Sequence, residues 1–323
     1  MSWQATRQVL DAGREHWQFG PIDLVLRAWG DAVSVERAQV AAWSRFQAIL
    51  PELVGELAHL RSPVDRNLRV NGAVAQRMLA ACRPFASDFI TPMAAVAGSV
   101  ADEICAFYVR EPGVRRAYVN NGGDIALHLR DGETLSVGVI NHPQRPQQVA
   151  DVTISSDMPV RGVATSGWRG RSFSLGIADS VTVLAASGAA ADAAATMIAN
   201  AVNIEHPAIR RAPANTIKDD SDLCARLVTV DVPPLRAAEV RAALGAGASF
   251  ARDWLASGQI HSAMLLLQGD HLAIAAQSGA QSGAQSGGAQ SGAQFGAQSC
   301  LNRRFGRGVP DRLLPDQSIR LAS

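Results

Sequence analysis

Three short segments carry residue types that can act together on a phosphorylated ligand. The first is Asn120-Asn121-Gly122-Gly123-Asp124-Ile125. Two glycines at a strand junction permit positive φ and leave no Cβ, so backbone can approach a phosphate or a ring closely. Asp124 can accept hydrogen bonds from a ribose or a base. The second is Val163-Ala164-Thr165-Ser166-Gly167, a strand end with two hydroxyls and a glycine that can present donors to pyrophosphate oxygens. In the third, Asp192 and Thr196 stand four residues apart in an Ala-rich run, so a helix puts both side chains on one face. A carboxylate beside a hydroxyl suits a hard cation such as Mg²⁺, with phosphate oxygens completing its shell.

Each segment also has a purely structural reading. Gly-Gly-Asp and Thr-Ser-Gly are ordinary turn sequences. Asp192 can serve its own helix N-terminus, and Thr196 can bond back to its own helix. No segment nominates a catalytic residue. Asn141-His142-Pro143 reads as a loop, and the other histidines (His16, His59, His128, His206, His261, His271) show no ligand spacing, which argues against zinc. No G-x-S-x-G, Walker A or G-x-G-x-x-G pattern occurs.

The elements that must position these segments follow from periodicity. Ile22 to Trp29 reads as a strand, and Val35 to Leu60 as helix with a break near Pro51. Val74 to Cys82 and Met93 to Arg110 read as helices, the second entered at Pro92. Small residues at its start (Ala94, Ala95, Ala97, Gly98) let a backbone or ligand come close. Ala117 to Asn120, Gln148 to Ser155, Val160 to Thr165, Ser180 to Ala185 and Leu227 to Val232 read as strands. Asp131-Gly132 predicts a hairpin between 125–130 and 133–140. Ser187 is the predicted N-cap of a helix from about Ala189 to Val202. Ala237 to Leu255 is helical, and Ala263 to Ala275 a hairpin turning at Gly269-Asp270. The pattern predicts an α+β protein whose helices pack on a mainly antiparallel sheet.

Composition bounds what such a fold does. With 47% hydrophobic and 18% charged residues in 323, the chain is globular and can bury a large core. A net charge of +1 gives no footprint for nucleic acid or an anionic membrane. Only Lys218 represents lysine, a bias read as base composition. Cys82, Cys105, Cys224 and Cys300 form no C-x-x-C and read as reduced structural thiols. Residues 1–20 hold no apolar run of signal-peptide length, and the Ala-rich run 183–202 is interrupted by Asp192 and Asn200. A cytoplasmic location is expected. Three regions are expected: an α+β domain over 1–275, a Gly/Ala/Gln/Ser linker over 276–300 with little to bury, and an extension over 301–323.

In order and spacing the segments resemble the ApbE-like family, the FAD:protein FMN transferases. Its members carry a Gly-Gly-Asp-Ile turn (here Gly122 to Ile125), a Val-Ala-Thr-Ser-Gly strand end (Val163 to Gly167), a Ser-Val-Thr-Val strand (Ser180 to Val183) and an Asp-Ala-x-Ala-Thr helix (Asp192 to Thr196). Met93 to Gly98, closing at Asp102, is similar to the family's Ser-Ala-Val-Ala-Lys-Gly helix start. The resemblance covers about residues 90–205. It implies a T-fold-related architecture and an FAD cleft, with Asn121, Gly122, Gly123, Asp124, Thr165, Ser166 and Gly167 as flavin-nucleotide contacts. It implies Mg²⁺ on Asp192, Thr196 and a backbone carbonyl near the first turn. The family reaction splits FAD and joins FMN to a Ser or Thr of a protein substrate. Two family features are absent: Ala97 stands at the lysine, and Phe173 to Asp179 replaces a His-x-x-Asp-Pro-x-Thr-Gly stretch, Asp179 being its remnant. The chain looks like the cytoplasmic, uncharacterised branch of the superfamily. Three functions therefore stand as expectations: a Mg²⁺-dependent FAD-binding protein related to the FMN transferases, with FMN transfer as its candidate activity; a hydrolase or transferase on another nucleotide-like substrate; and a non-catalytic flavin or nucleotide binder, with homo-oligomer formation left open.

Overall fold

The computed structural model describes residues 3–140, 148–276 and 318–320. In chain order its strands are β1 (Thr6–Val9), β2 (Glu15–Phe19), β3 (Ile22–Gly30), β4 (Val114–Asn121), β5 (Asp124–Leu129), β6 (Thr134–Ile140), β7 (Gln148–Ser155), β8 (Gly162–Ser166), β9 (Ser180–Ala185), β10 (Arg210–Pro213), β11 (Leu227–Asp231), β12 (Ser262–Leu267), β13 (Asp270–Ala275) and β14 (Ser318–Arg320). The helices are α1 (Ala32–Gly55), α2 (Leu57–Leu60), α3 (Ala73–Cys82), α4 (Val96–Arg110), α5 (Gly188–Ala201), α6 (Ala214–Ile217) and α7 (Ala237–Ala256).

Nine strands form one sheet in the order β1-β2-β3-β4-β5-β8-β9-β12-β13, every neighbour antiparallel. Alternation along each strand sorts its side chains between two layers. Ala117, Val119, Ala126, Ala164, Val181 and Val183 face the helical layer and join its core with Phe46, Ile104 and Ile198. Ile125, Leu127, Leu129, Val163 and Leu184 face the other way, against Leu135, Val137, Val152 and Ile154 of a small second sheet, β14-β6-β7. The α+β, mainly antiparallel architecture expected from the sequence is the one observed. Pro92–Arg110 has the length and a hydropathy (1.2) of a membrane span, yet half of that stretch is buried in the core between the sheet and the other helices.

Three local expectations need correction. Helix α1 runs through Pro51 and ends at Gly55, because Phe46, Ile49, Leu50 and Leu53 are buried on one stripe and outweigh one lost hydrogen bond. The chain does turn at Asp131-Gly132, where Glu133 N–H donates to Arg130 O (2.9 Å) and Gly132 takes φ +79°. The flanking strands do not pair, however. β5 pairs with β4 and β8, whereas β6 crosses to the second sheet and pairs with β7. The apolar face Ile125-Leu127-Leu129 needs a layer above it more than a neighbour beside it. The last hairpin turns at Gln268-Gly269, both at positive φ, one residue earlier than expected. Strands β1 and β2 carry no sequence signal used above. The stretch from residue 277 on and the loop containing His142 lie outside the described residues, apart from β14, whose backbone pairs in parallel with β6.

Candidate functional site

The β4–β5 turn is built from Gly122 (φ +63°) and Gly123 (φ +112°), a backbone that L side chains rarely adopt. Asn120 stabilises it by accepting from Gly123 N–H (2.8 Å). Asn121 Nδ2 donates across to Ala97 O (3.1 Å), tying the turn to the start of α4. Asp124 leaves the turn with one carboxylate oxygen accepting from Thr165 N–H (3.2 Å), which ties it to the end of β8.

Helices α4 and α5 cap one another. Asp102 on α4 accepts from Gly188 and Ala189 N–H (2.9 Å each) at the start of α5. Asp192 on α5 accepts from Gly98 N–H (3.0 Å) at the start of α4. Each acid thus satisfies orphan donors and the positive end of the other helix's dipole, worth roughly 1 kcal/mol per cap. Asp102, which closes the first family motif, is spent on this contact. Ser187 caps α5 as expected, accepting from Ala190 N–H (3.2 Å). The exchange of caps requires close approach: a Cβ at Gly98 would sit 2.2 Å from Gly188 O, and one at Gly162 2.0 Å from Ser187 O.

Between the turn, these helix ends and the 171–175 loop lies a cavity of about 260 Å³, lined by Asp124, Asp192 and Thr196 together with Ala97, Arg171 and Asn200. That volume is just under the roughly 300–1,000 Å³ usual for small-ligand sites. Phe89, Ile90, Met93 and Phe173 supply apolar wall, and Lys218 to Leu223 closes one side. This closing segment is held by Thr91 Oγ1 donating to Asp222, by the Arg61–Asp220 ion pair (2.8 Å) and by Arg226 stacked on Phe89.

Two of the carboxyls that line this cavity, Asp124 and Asp192, have raised pKa values. Burial lifts Asp124 well above the usual carboxylate range, with the charge of Asp192 adding to it. Burial likewise lifts Asp192 to about 7, opposed by the Gly98 and Ala97 N–H groups and assisted by Asp102. No ion pair neutralises either group among the described residues, so a cation fits here. No cluster of three or more His, Cys, Asp or Glu side chains forms a metal site among those residues. Asp124, Asp192 and the Thr196 hydroxyl would supply oxygen ligands to a hard cation such as Mg²⁺, with water and an anion to complete its shell. The linkage sign is fixed by the direction of the shifts. A carboxyl whose folded pKa exceeds its unfolded value stabilises the fold while protonated, and that stability is lost as pH rises through the folded pKa. The melting temperature in EDTA is expected to fall from pH 5 to pH 8.5, with Mg²⁺ restoring it at the alkaline end. A flat profile, or no Mg²⁺ effect at pH 8.5, would show that these carboxyls hold no cation.

The structure brings Asp124, Asp192 and Thr196 into one cavity. Gly122 borders it, since its Cβ position lies 3.2 Å from Arg171 Nη1. Asn121 and Gly123 support the turn rather than line the cavity. Thr165 presents its backbone N–H to Asp124, whereas its hydroxyl pairs with Thr182 Oγ1 (2.8 Å) on the sheet face away from α5. Ser166 is next along β8 and is not among the lining residues. Gly167 packs where a Cβ would meet Asp179 O at 2.5 Å. Asp179 accepts from Arg169 Nε (2.8 Å) and Gln268 N–H (2.6 Å), so it tethers the 168–175 loop to the last hairpin. The residues not anticipated from sequence are Arg171, Asn200 and the 218–223 segment. Asn200, one turn beyond Thr196 on α5, could have been found by extending the helical face; the others carry no local signal.

Comparison with known proteins follows this geometry. The family described as AbpE bacteria matches residues 7–273. A UPF0280 protein of Methanothermobacter thermautotrophicus is 38% identical over 115 residues, 35% of this chain and 43% of that one. One of Methanopyrus kandleri is 37% identical over 151 residues, 46% and 57% respectively. The chain thus spans about half the length of these two relatives. A third, from Methanothrix thermoacetophila, is 35% identical over 191 residues, 55% of this chain and 76% of that one. Among solved structures, an ApbE protein of Thermotoga maritima gives a TM-score of 0.39 at 13% identity, covering 85% of this chain and 97% of that one. A flavin transferase ApbE of Vibrio cholerae gives 0.35 at 13%, covering 61% and 87%. Likeness of that degree adds nothing to the site, and the assignment rests on the sequence match. That match contains the glycine turn, the hydroxyl-bearing strand end and the acidic helix, and the chain belongs to the bacterial AbpE family.

Proposed function

We propose that the cavity binds the phosphates of a flavin nucleotide, FAD by family resemblance, together with Mg²⁺, and that the protein transfers FMN from FAD to a Ser or Thr hydroxyl of another protein. The observation that supports this most is the pair Asp124 and Asp192. Asp124 and Asp192, from different elements, face one cavity with Thr196, and among the described residues each carboxyl is otherwise engaged only by backbone N–H groups. Asp124, Asp192 and Thr196 hold the cation, which when bound neutralises charge developing on the transferred phosphate. Arg171 stands over the glycine turn, with no acidic partner among the described residues, and meets the phosphates from the opposite side. Phe89, Met93 and Phe173 give the apolar contact a ring needs. The acceptor oxygen bonds to the FMN phosphorus as the pyrophosphate P–O bond to AMP breaks; AMP is the leaving group and the acceptor's proton passes to solvent.

A second reading is a hydrolase or transferase acting on a smaller nucleotide-like anion in the same cavity. The volume of about 260 Å³ and alanine at position 97 favour it. Incubation with FAD and Mg²⁺ followed by assay of AMP and FMN separates the two. AMP with FMN retained covalently on an added Ser/Thr-bearing acceptor protein supports transfer; AMP with free FMN, or FAD recovered intact with a thermal shift given by ATP but not by FAD, supports the second reading. Arg171→Ala is expected to weaken FAD binding by about 10–100-fold, the equivalent of a charge-assisted hydrogen bond, while riboflavin, which has no phosphate, is unaffected. Equal losses for both ligands in calorimetry would remove Arg171 from the phosphate site.

A further inference from the structure

A second concavity, of about 840 Å³, lies between α4 and the far half of β5 and shares no lining residue with the first. It exists because β8 accompanies β5 only at Ile125 and Ala126 and then leaves, Leu127 N–H reaching Arg161 O (2.8 Å) as the last link. The helix-facing side of β5 beyond that point is uncovered by α5. Three arginines converge there. Arg130 is fixed by donating to Val114 O (2.8 Å) and Glu111 O (3.1 Å). Arg161 is fixed by donating to Ser156 O (2.8 Å), Met158 O (2.8 Å) and Val160 O (2.6 Å). Arg110, in the last turn of α4, lies over the Phe107 ring. Carbonyls hold the Arg130 and Arg161 guanidiniums in place but leave their charge uncompensated, and no ion pair engages any of the three arginines among the described residues. Buried His128 lines the same concavity, bonded to Val114 O (3.2 Å), and feels the positive charge of both Arg130 and Arg161. Of the two acids that line the trough, Asp102 is spent on the α5 N–H groups and Asp131 is exposed at the rim.

We propose that this trough is a second anion site that takes a phosphate-bearing ligand, gripped by Arg110, Arg130 and Arg161, with Ala106 and Val109 as the wall for an organic portion. Guanidiniums without an acidic partner, two of them preset by carbonyls, recognise phosphate oxygens two at a time. The site is independent of the reading given to the first cavity.

The test uses the full chain labelled with ¹³C-histidine, without Mg²⁺, at low ionic strength. Inorganic pyrophosphate and ADP are titrated separately while the His128 ring signals, assigned with His128→Gln, are followed by NMR. Saturable shifts are expected. Arg110→Glu, whose side chain holds no backbone in place, should weaken both ligands at least about ten-fold at an unchanged melting temperature. Arg130→Met serves as the second variant, with the same loss of affinity and a lower melting temperature, since its side chain also holds Val114 O and Glu111 O. Arg171→Ala, in the other cavity, should leave the His128 response as in wild type. Tighter binding of ADP would assign a nucleotide, and equal binding free phosphate. Shifts that do not saturate, or the same affinity in Arg110→Glu, would overturn the proposal.

Discussion

Asp192→Asn is expected to lower Mg²⁺-dependent nucleotide affinity by more than about 100-fold, beyond the roughly 10–100-fold cost of losing a mere outer partner of a metal ligand. Asparagine keeps an oxygen to accept from Gly98 N–H, so the cap on α4 survives. It removes the charge that raises Asp124. The metal-free variant should therefore melt at or above the wild-type temperature at pH 8, with the difference closing toward pH 5, where both carboxyls are protonated. Titration calorimetry with Mg²⁺ and FAD, beside melting curves at the two pH values, reads both effects. Unchanged affinity would assign Asp192 to capping alone.

Gly98→Ala is expected to destabilise the fold by about 3 kcal/mol or more, at the upper end of overpacking costs. The new methyl would lie 2.2 Å from Gly188 O, a backbone atom with little room to move. The carbonyl belongs to the first residue of α5, so relief means sliding one helix start away from the other. That motion lengthens the contacts of Asp102 to Gly188 and Ala189 and of Asp192 to Gly98 together. Loss of stability in urea and loss of Mg²⁺ affinity should therefore appear together, unlike in a core cavity variant. A stability change under about 1 kcal/mol would mean that the helix ends are farther apart than described.

The local structure of the candidate segments was legible because its signals are local. A Gly-Gly turn, a capped Ala-rich helix and an i, i+4 acid–hydroxyl pair are each written within a few residues, and turn, cap and face appeared at their expected places. The sheet partners were not legible. The Asp131-Gly132 turn looks like a hairpin over a ten-residue window, yet the exposed apolar face of β5 sends β6 into another layer. Asp102 illustrates a second limit. Its motif gives it no stated task, and only the packing of α4 on α5 gives it two backbone donors to serve. Arg171 and the 218–223 segment reach the cavity from loops with no periodicity. The hydroxyl of Thr165 could have been directed to the far face by alternation with Ala164, which packs toward the helices.

The account depends on Asp124 and Asp192 holding one cation between them at the phosphate end of a bound nucleotide. Diffraction from crystals grown with FAD and Mn²⁺, using the manganese anomalous signal, tests this most directly. The expected map has a single strong peak at bonding distance from both carboxylates and the Thr196 hydroxyl, with nucleotide phosphate density touching it and Arg171. Manganese bound elsewhere, or nucleotide seated in the cavity while both carboxylates remain without a cation, would contradict it.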